Sequence, residues 1–299
     1  MPNFETRASI ASFGGKLLKL THHSKTTQTP MNLNLFLPAS AFTHPSRKLP
    51  LLIYLSGLTC TADNCSEKGF FQHGASLHNL AILYPDTSPR GLNLPNESDS
   101  WDFGSGAGFY VDAETDGYRD HYRMESYITT ELPELLWGEG GDYRELIDGG
   151  RVSITGHSMG GHGALTLYLR HPELYRSVSA FAPIANPLNC PWGQKAFKGY
   201  LGEDQGKWRE HDATELVRRW GEGKKGELRM LVDVGTSDSF ASQGQLLVEN
   251  LEKAVVGSGL KAGKEGVEVR YQKDYDHSYY FMASFADEHV EYHAKFLKE

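Results

Sequence analysis

Arg151-Val152-Ser153-Ile154-Thr155-Gly156-His157-Ser158-Met159-Gly160-Gly161 is the stretch on which the fold turns. It opens with an apolar, β-branched run, passes through a G-x-S-x-G turn, and leads into a helix-like segment from Gly161 to Arg170. Strand, sharp turn and helix with a serine at the apex is the context in which that motif means a nucleophile elbow. The glycines two residues either side of Ser158 answer a steric need. A side chain at either position would collide with the neighbouring strand or helix. The other reading of the pentapeptide is a glycine-rich turn whose serine caps a helix N-terminus.

Outward from the elbow, the strand half of the pattern repeats. Leu51 to Leu55, Ala81 to Tyr84, Val152 to Thr155, Val178 to Pro183, Met230 to Val234 and Val267 to Tyr271 are short apolar runs separated by helix-length segments. Such runs, buried on both faces, make a parallel sheet covered by helices on both sides. Helices are expected over 67–79, 122–136, 161–171, 243–257 and 281–297. Two earlier segments, Lys16 to Leu20 and Met31 to Leu37, read as an antiparallel pair at one sheet edge; the second alternates polar and apolar residues. The expectation is an α/β protein with an eight-stranded, mostly parallel sheet. No internal repeat or linker divides the chain, so residues 1–299 read as one domain.

Two long connections, 87–150 and 184–226, interrupt the rhythm. Both are rich in aromatics and are expected over the strand ends, where open α/β sheets place their ligands. The glycines between Trp101 and Tyr110 lack the lysine of a phosphate-binding loop and follow no apolar strand directly. Composition narrows the function classes. The 299 residues carry a formal charge of −8 without a basic run or aromatic–basic interleaving, which argues against nucleic acid. Lys224-Lys225 reads as solvated surface. Met1 to Gly15 has no apolar signal core, and no stretch approaches a membrane span. Three cysteines make no disulfide framework, and Cys60 and Cys65 have no second pair or nearby histidine to complete a zinc site. A soluble, reduced, cytoplasmic protein is expected.

A serine hydroxyl is a poor nucleophile at neutral pH and needs a histidine base, itself oriented by a carboxylate. With this elbow the chain order is serine, acid, histidine. Asp238 follows the run Met230 to Val234, and His277 follows Val267 to Tyr271, so both fall in loops at the carboxyl ends of their strands. Asp233 lies inside its strand and should point into a helix layer. Asp276 adjoins His277, a spacing that rarely lets one side chain orient the other. His157, His162 and His211 precede the acid or its strand, and His289 and His293 fall on the last helix. An oxyanion site needs two further donors. The backbone N–H of Met159 is one, and that of Leu58, in the turn Ser56-Gly57-Leu58-Thr59-Cys60 after the first parallel strand, is the other. Cys60, two residues on, either places its sulfur near the same rim or packs as a small buried hydrophobe with no chemical part.

These segments together closely resemble the S-formylglutathione hydrolases, or esterase D family, of the α/β-hydrolase fold. The resemblance rests on Tyr54 to Thr61, Pro85 to Gly91, Trp101 to Tyr110, Gly156 to Gly161, Pro191 to Phe197 and Asp276 to Phe281. It implies Ser158, Asp238 and His277 as the triad, the residues already reached from chain order. It implies hydrolysis of S-formylglutathione to glutathione and formate, a step of formaldehyde detoxification, without metal or organic cofactor. A general short-chain carboxylesterase would use the same machinery, and a non-catalytic scaffold would not fill all three positions. A homodimer is a family-level expectation.

Overall fold

Apolar runs become strands in the order expected of them in a computed structural model, which describes residues 2–44, 46–220, 227–263 and 266–298. Lys224-Lys225 lies outside the described residues. The strands are β1 (Glu5–Ser12), β2 (Gly15–His23), β3 (Pro30–Leu37), β4 (Leu49–Leu55), β5 (Ala81–Pro85), β6 (Ile147–Gly156), β7 (Val178–Phe181), β8 (Met230–Gly235) and β9 (Val267–Gln272). They form one sheet in the order β1-β2-β3-β5-β4-β6-β7-β8-β9. From β5 through β9 every pairing is parallel. All seven residues of β4 and all six of β8 are buried, as continuous apolar runs between two helix layers should be.

The sheet has nine strands where the sequence suggests eight. The extra one is β1, which pairs antiparallel with β2 through a turn at Phe13-Gly14. Glu-Thr-Arg-Ala-Ser-Ile-Ala-Ser buries none of its eight residues, so no hydrophobic period marks it. Backbone pairing alone makes it a strand. β3 also runs antiparallel to β5, joining the antiparallel edge to the parallel body.

The helix expected over 67–79 is two helices, Ala62–Lys68 and Phe71–His78. Thr61 and Asn64 close a reciprocal capping box at the start of the first. Phe70, at φ 58°, breaks the run between them. The remaining expected helices appear with shifted ends: Met159–Arg170, Val248–Gly257 and Tyr279–Leu297. Between Met124 and Trp137 the helix passes through a π-helical turn, Tyr127–Glu131. No helix of the described residues is long and apolar enough to cross a membrane.

Candidate active site

Ser158 joins β6 to the helix Met159–Arg170 with φ 56° and ψ −121°. That region is costly for a residue with a side chain and persists only where the surroundings hold it. They do so here on both sides of the peptide. The Ser158 N–H donates to the Phe181 carbonyl at 2.9 Å, and the Ser158 carbonyl accepts from Ile184 at 3.2 Å. The flanking glycines are needed as the motif suggests. A Cβ at Gly156 would lie 2.4 Å from the Gly160 carbonyl oxygen, and one at Gly160 would lie 2.0 Å from that of Leu55.

Asp238 and His277 arrive from loops that leave β8 and β9, and the structure brings them together. His277 Nδ1 and Asp238 Oδ2 are 2.6 Å apart, with Asp238 only 3% exposed. The other carboxylate oxygen caps the short helix Ser239–Ser242, accepting from the Phe240 N–H at 2.8 Å and the Ala241 N–H at 3.3 Å. One oxygen therefore fixes the carboxylate while the other fixes the imidazole. With the carboxylate accepting at Nδ1, the ring keeps its proton there and leaves Nε2 as a basic lone pair. Phe240 packs its edge against the ring, centroids 4.8 Å apart.

Ser158 and His277 line the same cavity, of about 370 Å³, with Leu58, Trp101, Trp192, Tyr279 and Met282 around them. Among the described residues the Ser158 hydroxyl has no hydrogen-bond partner, and neither the Leu58 nor the Met159 backbone N–H donates to a protein acceptor. Met159 is the first residue of its helix, where unsatisfied N–H groups and the macrodipole favour negative charge. The walls are aromatic. Trp101 meets Trp192 edge-on at 5.3 Å, and Trp192 meets Phe240 at 4.8 Å. Lys195 bonds Ser100 Oγ at 2.8 Å and pairs with Asp102, tying the Trp101 loop to the helix that carries Trp192.

A larger cavity, about 720 Å³, opens around Glu125, Arg170, His171 and His211 at the far end of the elbow helix. It contains none of the residues named from chain order. At its centre Glu125 takes Arg170 Nε at 2.9 Å and His171 Nε2 at 2.8 Å.

The competing residues fall elsewhere. Asp233 is fully buried and forked by Arg270, with both contacts at 2.6 Å. Asp276 accepts from the Ser278 N–H at 2.9 Å and hydroxyl at 2.6 Å, away from its neighbour's ring. His162 bonds the Phe109 carbonyl, while His289 and His293 bond Ser179. His157 bonds Gly57 and Tyr54. Cys60 is not at the rim. It is 7% exposed, its sulfur 3.7 Å from the Tyr279 hydroxyl behind the cavity wall, and burial raises the thiol pKa. Trp101 and Trp192 lie in separate segments of the sequence, and nothing in either segment marks the wall they form together. Among the described residues no group of three His, Cys, Asp or Glu side chains could hold a metal ion.

The chain is similar to known esterases over nearly its whole length. The family model described as "Putative esterase" matches residues 24–295. A rat S-formylglutathione hydrolase is 48% identical over 290 residues, covering 97% of each chain. The Saccharomyces cerevisiae S-formylglutathione hydrolase is 45% identical over 296 residues, covering 95% of this chain and 96% of its own. A solved S-formylglutathione hydrolase from Agrobacterium tumefaciens superimposes with a TM-score of 0.88 at 40% identity, covering 98% of this chain and 99% of its own.

Proposed function

The chain belongs to the S-formylglutathione hydrolase family of esterases, and from that membership we propose that it hydrolyses S-formylglutathione to glutathione and formate. The observation that supports the mechanism is that His277, hydrogen-bonded to Asp238, lines one cavity with a serine hydroxyl that has no protein partner. His277 Nε2 takes the Ser158 proton as Oγ attacks the formyl carbon. The carbonyl oxygen becomes an oxyanion, received by the Leu58 and Met159 N–H groups. Collapse expels the glutathione sulfur, which takes the proton back from His277 Nε2, and leaves a formyl ester on Ser158. Water, deprotonated by His277, attacks that ester through a second oxyanion; its collapse breaks the bond to Oγ, which regains its proton from His277 as formate leaves. A thiol with a pKa of about 8.5 leaves more readily than an alkoxide, which suits the site to thioesters.

The protein would thereby serve formaldehyde detoxification in the cytoplasm as one α/β-hydrolase domain. The decisive assay is kcat/KM for S-formylglutathione beside its acetyl and butyryl homologues and a short-chain aryl ester. The formyl thioester should lead, with a steep fall as methylenes are added. Equal rates on the formyl and butyryl thioesters would favour a general short-chain carboxylesterase.

A further inference from the structure

His157 precedes the nucleophile, yet its side chain turns away from the Ser158 hydroxyl, toward the neighbouring loop. Its Nε2 lies 3.1 Å from the Gly57 backbone nitrogen and its Nδ1 lies 3.0 Å from the Tyr54 hydroxyl. These two contacts fix the tautomer. A backbone N–H can only donate, so Nε2 must offer a lone pair, and the ring proton sits on Nδ1 facing Tyr54. The ring is 4% exposed, with Tyr279 packed edge-on at 5.1 Å. Burial, helped by His277, pushes its pKa down to about 3, so it stays an acceptor throughout the neutral range.

The loop it meets is anchored at both ends. On the near side the His157 N–H donates to Leu55 at 3.1 Å. On the far side the Thr59 N–H donates to Gly106 at 2.9 Å, and the Cys60 carbonyl accepts from Thr87 Oγ1 at 2.6 Å and Arg90 at 2.9 Å. Between these anchors lies the peptide that carries the Leu58 N–H. Its carbonyl, on Gly57, accepts from the Cys60 N–H at 3.3 Å, which turns the Leu58 N–H the opposite way. The His157 ring fixes the preceding peptide through the Gly57 N–H. Contact is close enough that a Cβ on Gly57 would sit 2.7 Å from Nε2 and 3.1 Å from Ser158 Cβ.

We propose that His157 is the positioning residue of the oxyanion site, tying the Gly57-Leu58 turn to the elbow so that the Leu58 and Met159 amides keep one separation. This rests on the assignment of those two amides in the mechanism above. His157 transfers no proton, since both of its ring nitrogens are already engaged. It acts through Gly57. Its loss should therefore be felt where negative charge develops and hardly at all in ground-state binding, because pre-aimed donors matter most to the transition state.

The test uses two substitutions and two readouts on the full-length enzyme. His157→Phe keeps a ring but has no acceptor, whereas His157→Gln brings Oε1 within reach of the Gly57 N–H. The Phe variant should lose about 100-fold in kcat, the scale of one oxyanion donor, with KM within about twofold. The Gln variant should recover to within about tenfold of wild type. Affinity for a trifluoromethyl ketone analogue of the thioester should fall in step with kcat/KM, while inhibition by glutathione stays constant. A folded Phe variant within twofold of wild-type kcat overturns the proposal, and so does a Gln variant no better than Phe. If the Phe variant does not fold, Tyr54→Phe decides. It strips the partner from Nδ1–H and frees the proton to move to Nε2, so kcat should fall about tenfold at constant KM. An unchanged kcat there overturns the proposal. None of these results touches the Ser158 assignment, which stands or falls on Ser158→Ala.

Discussion

Two Ser–His–Asp constellations stand among the described residues, and they differ in what surrounds them. The first is Ser158, His277 and Asp238, set in turns and loops at the carboxyl ends of β6, β9 and β8. The second is Ser179, His289 and Asp233, set inside β7, the last helix and β8, all fully buried. There His289 Nε2 is 3.2 Å from Asp233 Oδ2, and Nδ1 is 2.9 Å from Ser179 Oγ. The bonding order, acid to imidazole to hydroxyl, is the one a triad needs. Yet Ser179 Oγ is also held by Thr155 Oγ1 at 2.7 Å and His293 Nε2 at 2.8 Å. Asp233 is neutralised by Arg270, and the His289 ring stacks on Phe181 at 3.8 Å. None of the three lines either cavity described above. A strained backbone, an unpartnered hydroxyl and an open space distinguish the first group, and residue type distinguishes neither.

The widest separation between the two should appear in turnover. Ser158→Ala should cost roughly a millionfold in kcat, and Asp238→Asn up to about ten-thousandfold through a mis-set His277 tautomer. Pairing Ser158→Ala with His277→Ala should add little, since the group acts as a unit. A folded Ser158→Ala enzyme keeping a tenth of wild-type kcat would remove the first constellation from the mechanism.

Acid should reach the buried group and its relatives through stability. His157 and His162 are pushed down to about 3 and His211 to about 4, chiefly by burial, and burial also lowers His289 and His293. Each is neutral in the native protein, whereas the unfolded chain takes up the proton below about pH 6.5. Unfolding therefore binds protons, and stability falls as pH drops from about 6.5 toward 3, by up to about 1.4 kcal/mol per histidine per pH unit. Asp212, raised to about 6 by burial, works the other way, gaining stability as pH falls from about 6 to 4. One carboxylate cannot offset five imidazoles. Urea midpoints measured at pH 7, 6 and 5 should decline progressively, and a flat series would mean that these rings are solvated.

Asp233→Ala should act on stability with kcat within about twofold of wild type. It leaves Arg270 and His289 facing an empty buried site, a loss on the scale of about 3–5 kcal/mol for one partner of a buried pair. Arg270 keeps Glu288 at 2.7 Å, which favours the lower end. Chemical denaturation checks the loss and the thioester assay checks the rate. A stable but inactive variant would exchange the roles assigned to Asp233 and Asp238.

Part of this contrast is legible in the sequence. The elbow, Asp238 and His277 were legible because parallel topology fixes which end of each strand carries the site. Asp233 was correctly placed in a helix layer, since an acid within an apolar run has no route to the rim. Its partners were not legible: Ser179 and His289 are 110 positions apart and meet only through packing. Trp192, Phe240 and Met282 come from separate segments, so the cavity wall had no local pattern. β1 was missed because an edge strand exposed on both faces carries no period. The two readings of Cys60 could not be separated from the sequence, because nearness along the chain to Leu58 does not set the direction of a side chain. The turn at Thr59, with φ 67°, sends the chain behind Tyr279.

The smallest effect is also the sharpest comparison, because one substitution can be made in both constellations. Ser179→Ala removes a hydroxyl that serves Thr155, His289 and His293 at once. One hydrogen and two lone pairs are lost from a fully buried site, leaving polar atoms without partners, a cost of about 1–3 kcal/mol. His293 retains Ser177 Oγ at 2.8 Å, and His289 retains Asp233, so the network should thin without collapsing. Activity should stay within twofold, because nothing in that group faces the cavity. Ser158→Ala should show the reverse: its hydroxyl has no protein partner to lose, so the unfolding midpoint should hardly move while turnover disappears. A Ser179→Ala enzyme with wild-type stability and reduced kcat would mean that the buried network aligns the elbow, through Phe181, whose carbonyl holds the Ser158 N–H.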